Sequence, residues 1–140
     1  MARQRVLFLC PDNSTRSQIA EGFLRALAAD RFEVQSAGPE RRGIHPLAVT
    51  AMAERGIDIS GHTSKLMLGL LQERWDYVIA LYDPATERRP LFSGGAQRLD
   101  WFFPDPSRHT GMAEDRVEPF RIVRDDIAGR LCEWLAAQGA

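Results

Sequence analysis

The chain has 140 residues, with 18 basic and 19 acidic side chains and a formal net charge of −1, so no global charge invites nucleic acid or an anionic membrane. That length suits one domain over residues 1–140 with a proper core, nothing in it requires an oligomer, and a monomer is expected. Cys10 and Cys132 are the only two cysteines, which excludes a disulfide framework. With no apolar run long enough to span a bilayer or serve as a secretory signal, the expectation is a cytoplasmic protein whose compartment keeps Cys10 reduced.

Val6, Leu7, Phe8 and Leu9 are continuously apolar, as in a central parallel strand covered on both faces. From Ser17, the residues Ile19, Ala20, Phe23, Leu24, Leu27 and Ala28 recur at helical spacing and predict a helix packed on the sheet. Phe32, Val34 and Ser36 alternate, predicting a short edge strand that ends at Ser36-Ala37-Gly38. Pro46 is suited to open a second helix, which Gly56 stops. Residues 57–64 read as a connector and residues 77–81 as a third buried strand. Residues 82–90 read as a mobile loop carrying Arg88 and Arg89. A fourth strand over 99–102 ends at Pro104-Asp105-Pro106, because neither proline donates to a ladder. Val117, Phe120, Val123, Ile127, Leu131 and Trp134 form the apolar stripe of a last helix. Alternating strands and helices imply a parallel sheet with helices on both faces and a ligand site beyond the strand carboxyl ends.

Cys10 and Arg16 bracket a turn-rich loop between the first strand and the first helix. The loop residues Pro11, Asp12, Asn13, Ser14, Thr15 and Arg16 are expected to line a cationic concavity of backbone N–H groups for a small tetrahedral oxyanion. The helix dipole adds to it. Arg16 supplies a planar fork of donors for the anion's oxygens. The same surroundings favour a thiolate at Cys10. The loop lacks the glycines and Lys-Ser/Thr end of a nucleotide-binding Walker loop. Displacement at phosphorus or arsenic also needs an acid for the departing oxygen. Asp105, between two prolines, is the favoured candidate and Asp83 its rival. Asp12 is expected to turn its carboxylate outward and its amide inward. His45, His62 and His109 show no ligand spacing, so no metal is expected.

Residues 6–10 with Asn13, Arg16-Ser17-Gln18 and Ala20-Glu21-Gly22, then Ser36-Ala37-Gly38, Gly56-Ile57-Asp58 and Pro104-Asp105-Pro106, resemble the low-molecular-weight protein tyrosine phosphatase superfamily. Within it they are most similar to the thioredoxin-coupled type of arsenate reductase. The resemblance implies an α/β fold of three α/β/α layers with a four-stranded parallel sheet in order 2-1-3-4. It also implies Cys10 as nucleophile, Arg16 and the loop amides as oxyanion holders, Ser17 as hydrogen-bond donor to the thiolate, and Asp105 as general acid. A potassium site in some such reductases corresponds to Asn13, Glu21, Ser36 and an acidic residue. Here Lys65 takes that last position, and its ammonium is expected to replace the cation and neutralise Glu21.

Two departures shape the functional expectation. Tyr82 and Arg89 stand where those reductases carry their two disulfide-relay cysteines, so an external thiol such as glutathione with glutaredoxin, or mycothiol, would have to resolve a Cys10–arsenate adduct. Cys132 is an alternative relay, although a packing role in the last helix is the simpler expectation. The phosphatase branch places aromatic residues beside its site, whereas Ser107 and Arg108 follow Asp105-Pro106 and residues 39–45 include no aromatic. A phenyl ring would lose stacking of about 0.5–1.5 kcal/mol per contact. The resulting expectation is arsenate reduction, with phosphomonoester hydrolysis and non-catalytic phosphate binding as alternatives.

Overall fold

The computed structural model describes residues 3–95, 97–108 and 116–139. Four parallel strands, β1 (Gln4–Leu9), β2 (Phe32–Ala37), β3 (Tyr77–Tyr82) and β4 (Gln97–Phe102), form one sheet in the order β2-β1-β3-β4. The order and direction are those expected from the sequence. β1 and β4 begin two residues before their apolar runs, because ladder hydrogen bonds continue past the buried side chains. His109 lies outside the described residues.

Alternation within the central strand divides the core. Val6 and Phe8 join one apolar cluster, with Ile19, Phe23 and Leu24 of α1 (Arg16–Ala28), Met52 of α2 (Pro46–Ala53) and Phe120, Val123, Ile127 and Leu131 of α3 (Val117–Gly139). Leu7 and Leu9 face the other way, onto Trp75 and Phe92. Met67 and Leu70 of a 3-10 helix (Met67–Leu70) close that side. The layer expected over the second face is therefore one 3-10 helix with loop residues. Leu27, assigned to the buried face of α1, is instead 51% exposed. Cys132 is also exposed rather than packed.

α2 begins with Pro46 after His45, whose Nδ1 accepts the Leu47 N–H and caps the helix. It ends at Ala53, and the turn that follows reaches Gly56 at φ +74°. Glu54 then accepts hydrogen bonds from both Arg121 and Arg124, tying α2 to α3. These packed helices fix the carboxyl end of β1, where the chain turns into α1.

Candidate active site

The orientation of the loop after β1 follows from where its carbonyls go. The carbonyls of Pro11, Asp12 and Ser14 accept the N–H groups of Glu40, Arg42 and His45 at 3.3, 3.1 and 3.0 Å. The Asn13 carbonyl accepts from Gln18 Nε2 and Ser64 Oγ, and that of Thr15 accepts from Ile19 N. In a trans peptide the N–H points away from its carbonyl, and no described peptide is cis. With the carbonyls drawn outward onto this strap, the N–H groups that follow turn inward. Among the described residues those of Asp12, Asn13, Thr15, Arg16 and Ser17 meet no acceptor. Buried N–H groups without partners are costly unless a ligand takes them. The loop thus forms a cup of unpartnered N–H groups; the Ser14 N–H, expected among the oxyanion donors, is instead taken by the Asp12 carboxylate.

Asn13 adopts φ +49°, a left-handed conformation that asparagine tolerates better than most residues. Gly38, where β2 ends, packs so closely that a Cβ there would meet the Cys10 carbonyl and the Asn13 nitrogen. The tight turn and this close approach hold the cup against the sheet.

At its floor, Cys10 is fully buried and its Sγ lies 2.9 Å from Ser17 Oγ. Asn13 Nδ2 donates to Ser17 Oγ at 2.8 Å and to Ser36 Oγ at 3.0 Å, and Ser36 donates to Glu21 at 2.6 Å. Asn13, Glu21 and Ser36, grouped by the resemblance, thus form one buried chain of hydrogen bonds that also takes in Ser17. Gln18 extends it, donating to Asn13 Oδ1 and touching His62 Nδ1 at 3.0 Å. Burial pulls the His62 pKa below its ordinary value; Glu21 opposes this, while Arg25 and Lys65 reinforce it.

Three expectations need correction. The cation on Glu21 is Arg25, at 3.0 Å, rather than Lys65. The Lys65 ammonium instead reaches the Thr63 carbonyl, and the residue supports the loop through its backbone N–H, which donates to Asn13 Oδ1. An arginine one turn along the same helix reaches Glu21 directly. Asp12 does not turn outward: its Oδ1 accepts the Ser14 N–H at 3.2 Å and lies 3.8 Å from Cys10 Sγ. A short carboxylate so placed closes on an amide two residues later. The loop over residues 83–90 is not free either. Asp83 accepts N–H groups from Thr86, Glu87 and Ala85, and the turn is pinned through Glu87 to Arg16. Asp83 is thereby occupied as a turn cap.

Arg16 is 1% exposed. Its Nη1 and Nη2 donate to the two Glu87 oxygens at 2.6 and 2.7 Å, and Nη1 also donates to the Phe103 carbonyl at 3.0 Å. Its Nε is buried without a partner. Burial disfavours the guanidinium charge, but Glu87, Cys10 and Asp105 outweigh it, so the pKa is raised. Neither Glu87 nor Phe103 carries a local sequence signal for this contact.

Asp105 follows two residues after the Phe103 contact. Its Oδ1 accepts from Ser107 N and Oγ at 2.9 and 2.7 Å, and among the described residues its Oδ2 meets Arg108 at 3.8 Å. Its charge favours the protonated forms of Arg16 and of His45 in the strap. The positions expected for a disulfide relay are structural here. Tyr82 is buried and packs edge-on against Phe102 with centroids 5.4 Å apart, and Arg89 pairs with Asp100 at 2.9 Å.

A parallel sheet that delivers a cysteine into an amide-lined cup closed by an arginine is the framework of one phosphatase family. The low molecular weight phosphotyrosine protein phosphatase family is matched over residues 5–139, and the chain belongs to it. Within that family it is similar to the arsenate reductase of Shouchella clausii, 43% identical over 131 residues that cover 94% of each chain. It is also 40% identical to the arsenate reductase of Bacillus subtilis over 134 residues, 96% of each. A solved arsenate reductase in the phosphate binding state superposes with a TM-score of 0.81 at 35% identity, covering 96% of this chain and 98% of that one.

Proposed function

We propose that the chain is a thiol-dependent arsenate reductase with Cys10 as nucleophile. What supports this reading is a buried Cys10 sulfur beside Ser17, in a loop whose carbonyls are drawn outward and whose N–H groups, like the Arg16 Nε, are without acceptors among the described residues, donors suited to a tetrahedral oxyanion. Arsenate would be held by these donors, with its developing charge met by dipoles already in place. The Cys10 thiolate attacks arsenic and an oxygen leaves as water, with Asp105 giving the proton. Ser17 donates to the thiolate before attack.

The second stage needs a reductant. Tyr82 and Arg89 cannot form a disulfide, and Cys132 is exposed on α3. An external thiolate, from glutathione with glutaredoxin or from mycothiol, attacks the Cys10 sulfur. The S–As electron pair stays on arsenic, reducing As(V) to As(III), and arsenite departs. A second thiol then releases Cys10 as thiolate and leaves as a disulfide with the first. No helix among the described residues is long and apolar enough to cross a membrane; a reducing, cytoplasmic setting fits this chemistry.

A second reading has its own support. Phosphate and arsenate share shape and charge, and the family is described as a phosphatase. A cysteinyl-phosphate formed from a phosphomonoester would use the same residues, with Asp105 protonating the alcohol and then activating water. The test is arsenite formation with glutathione–glutaredoxin, mycothiol or thioredoxin, alongside p-nitrophenyl phosphate hydrolysis, with Cys10→Ser and Asp105→Asn as controls. Arsenite formation with a low-molecular-weight thiol system supports reduction. Efficient hydrolysis without arsenite selects the phosphatase, and binding without turnover selects a phosphate-binding domain.

A further inference from the structure

We infer that Glu87 is a positioning residue, which sets the edge of Arg16 that grips the oxyanion; this rests on the reading of the cup as an oxyanion enzyme site. A guanidinium has five N–H donors in a fixed planar fork. Three of them are accounted for: Nη1 and Nη2 each give one to Glu87, and Nη1 gives its other to the Phe103 carbonyl. The remaining two, on Nε and on the adjoining side of Nη2, lie along one edge. Nε is buried with no acceptor. That edge suits two oxygens of a tetrahedral anion.

Glu87 can impose this orientation because it is itself fixed. Its side chain is 7% exposed, its Oε1 also accepts the Asp83 N–H at 2.7 Å, and its own N–H donates to the Asp83 carbonyl at 2.8 Å. The tight turn over residues 83–87 therefore acts as a fixed brace on Arg16. Its carboxylate also offsets the Arg16 charge, so ground-state attraction for the anion falls more to the amides and helix dipole. Glu87 should accordingly affect the geometry of turnover more than equilibrium binding.

The experiment compares wild type, Glu87→Gln and the exposed control Arg88→Ala in p-nitrophenyl phosphate hydrolysis, arsenite formation and inhibition by inorganic phosphate. Glutamine keeps the shape but turns an amide donor toward the guanidinium. The expected result is a kcat lower by about tenfold or more, with the phosphate inhibition constant within about threefold of wild type, and no change in Arg88→Ala. Repeating Glu87→Gln in an Arg16→Lys background separates positioning from folding: if Glu87 acts through Arg16, the second change costs little further activity, whereas a general structural role costs the same in both. Unchanged or increased activity in Glu87→Gln, parallel loss of phosphate affinity, or an undiminished effect beside Arg16→Lys overturns the inference. A wild type inert toward both substrates would sink the enzymatic reading itself, whereas an active wild type matched by Glu87→Gln sinks only the role of Glu87.

Discussion

Ser17 Oγ stands between Cys10 Sγ at 2.9 Å and Asn13 Nδ2 at 2.8 Å, and the second contact orients the first. Asn13 Nδ2 can only donate, so Ser17 accepts from it and keeps its one hydroxyl proton for an ionised sulfur. Ser36, which donates to Glu21, likewise accepts from Asn13. Removing the hydroxyl deletes a hydrogen bond to a charged group, of order 1.5–3 kcal/mol. Ser17→Ala should therefore lower kcat by about tenfold to a hundredfold, and the buried Asn13 Nδ2 donor it orphans should also lower the melting temperature by several degrees. A kcat within about twofold of wild type would contradict this role.

Asp12 places a carboxylate oxygen 3.8 Å from the same sulfur, where it repels an incoming anion. Asp12→Asn keeps an acceptor for the Ser14 N–H and removes the charge. Calorimetric titration with inorganic phosphate at neutral pH should show tighter binding than wild type, with the gain shrinking as salt rises. Weaker or equal binding would show that the carboxylate does not oppose the anion.

Gly38 has no room for a side chain, since a Cβ would meet the Cys10 carbonyl and the Asn13 nitrogen, both backbone atoms. Gly38→Ala forces the strap and the cup apart at a cost of about 1–3 kcal/mol. The variant should melt several degrees lower and lose stabilisation by phosphate. An unchanged melting temperature with intact phosphate binding would mean that the cup tolerates the displacement.

His45 and His62 both have pKa values below the ordinary 6.5, chiefly through burial and, at His62, helped by Arg25 and Lys65. The unfolded chain takes up protons near pH 6.5 while the folded chain does not until lower pH. Stability is thus greatest above about pH 6.5 and falls as pH drops from there toward the folded values. Proton NMR of the imidazoles should give both midpoints below 6.5. Midpoints above it, or stability rising on acidification through this window, would reverse the assignment.

Much of this arrangement could be read in the sequence because its determinants are local. The apolar run ending at Cys10, the spacing to Arg16 and the proline bracket around Asp105 announce a strand, a turn and a stop. Asn13, Glu21 and Ser36 are grouped by the resemblance, and the structure joins them by hydrogen bonds, with Ser17 on the same chain. What sequence missed lies between distant segments. Glu87 meets Arg16 across 71 positions, and the Phe103 carbonyl across 87. The strap was invisible because its contacts with the cup are backbone hydrogen bonds, which carry little side-chain signature. Lys65 misled for a related reason: position beside a charge does not say which of two nearby cations reaches it, and Arg25, on the same helix as Glu21, does.

The most direct measurement is intact-protein mass spectrometry of enzyme mixed with arsenate and a limiting amount of glutathione, quenched with acid during the first turnover. The account predicts a single glutathione joined by a disulfide to Cys10, absent in Cys10→Ser and formed as arsenite appears. An internal disulfide between Cys10 and Cys132, or arsenite formed without any covalent species on Cys10, would contradict it.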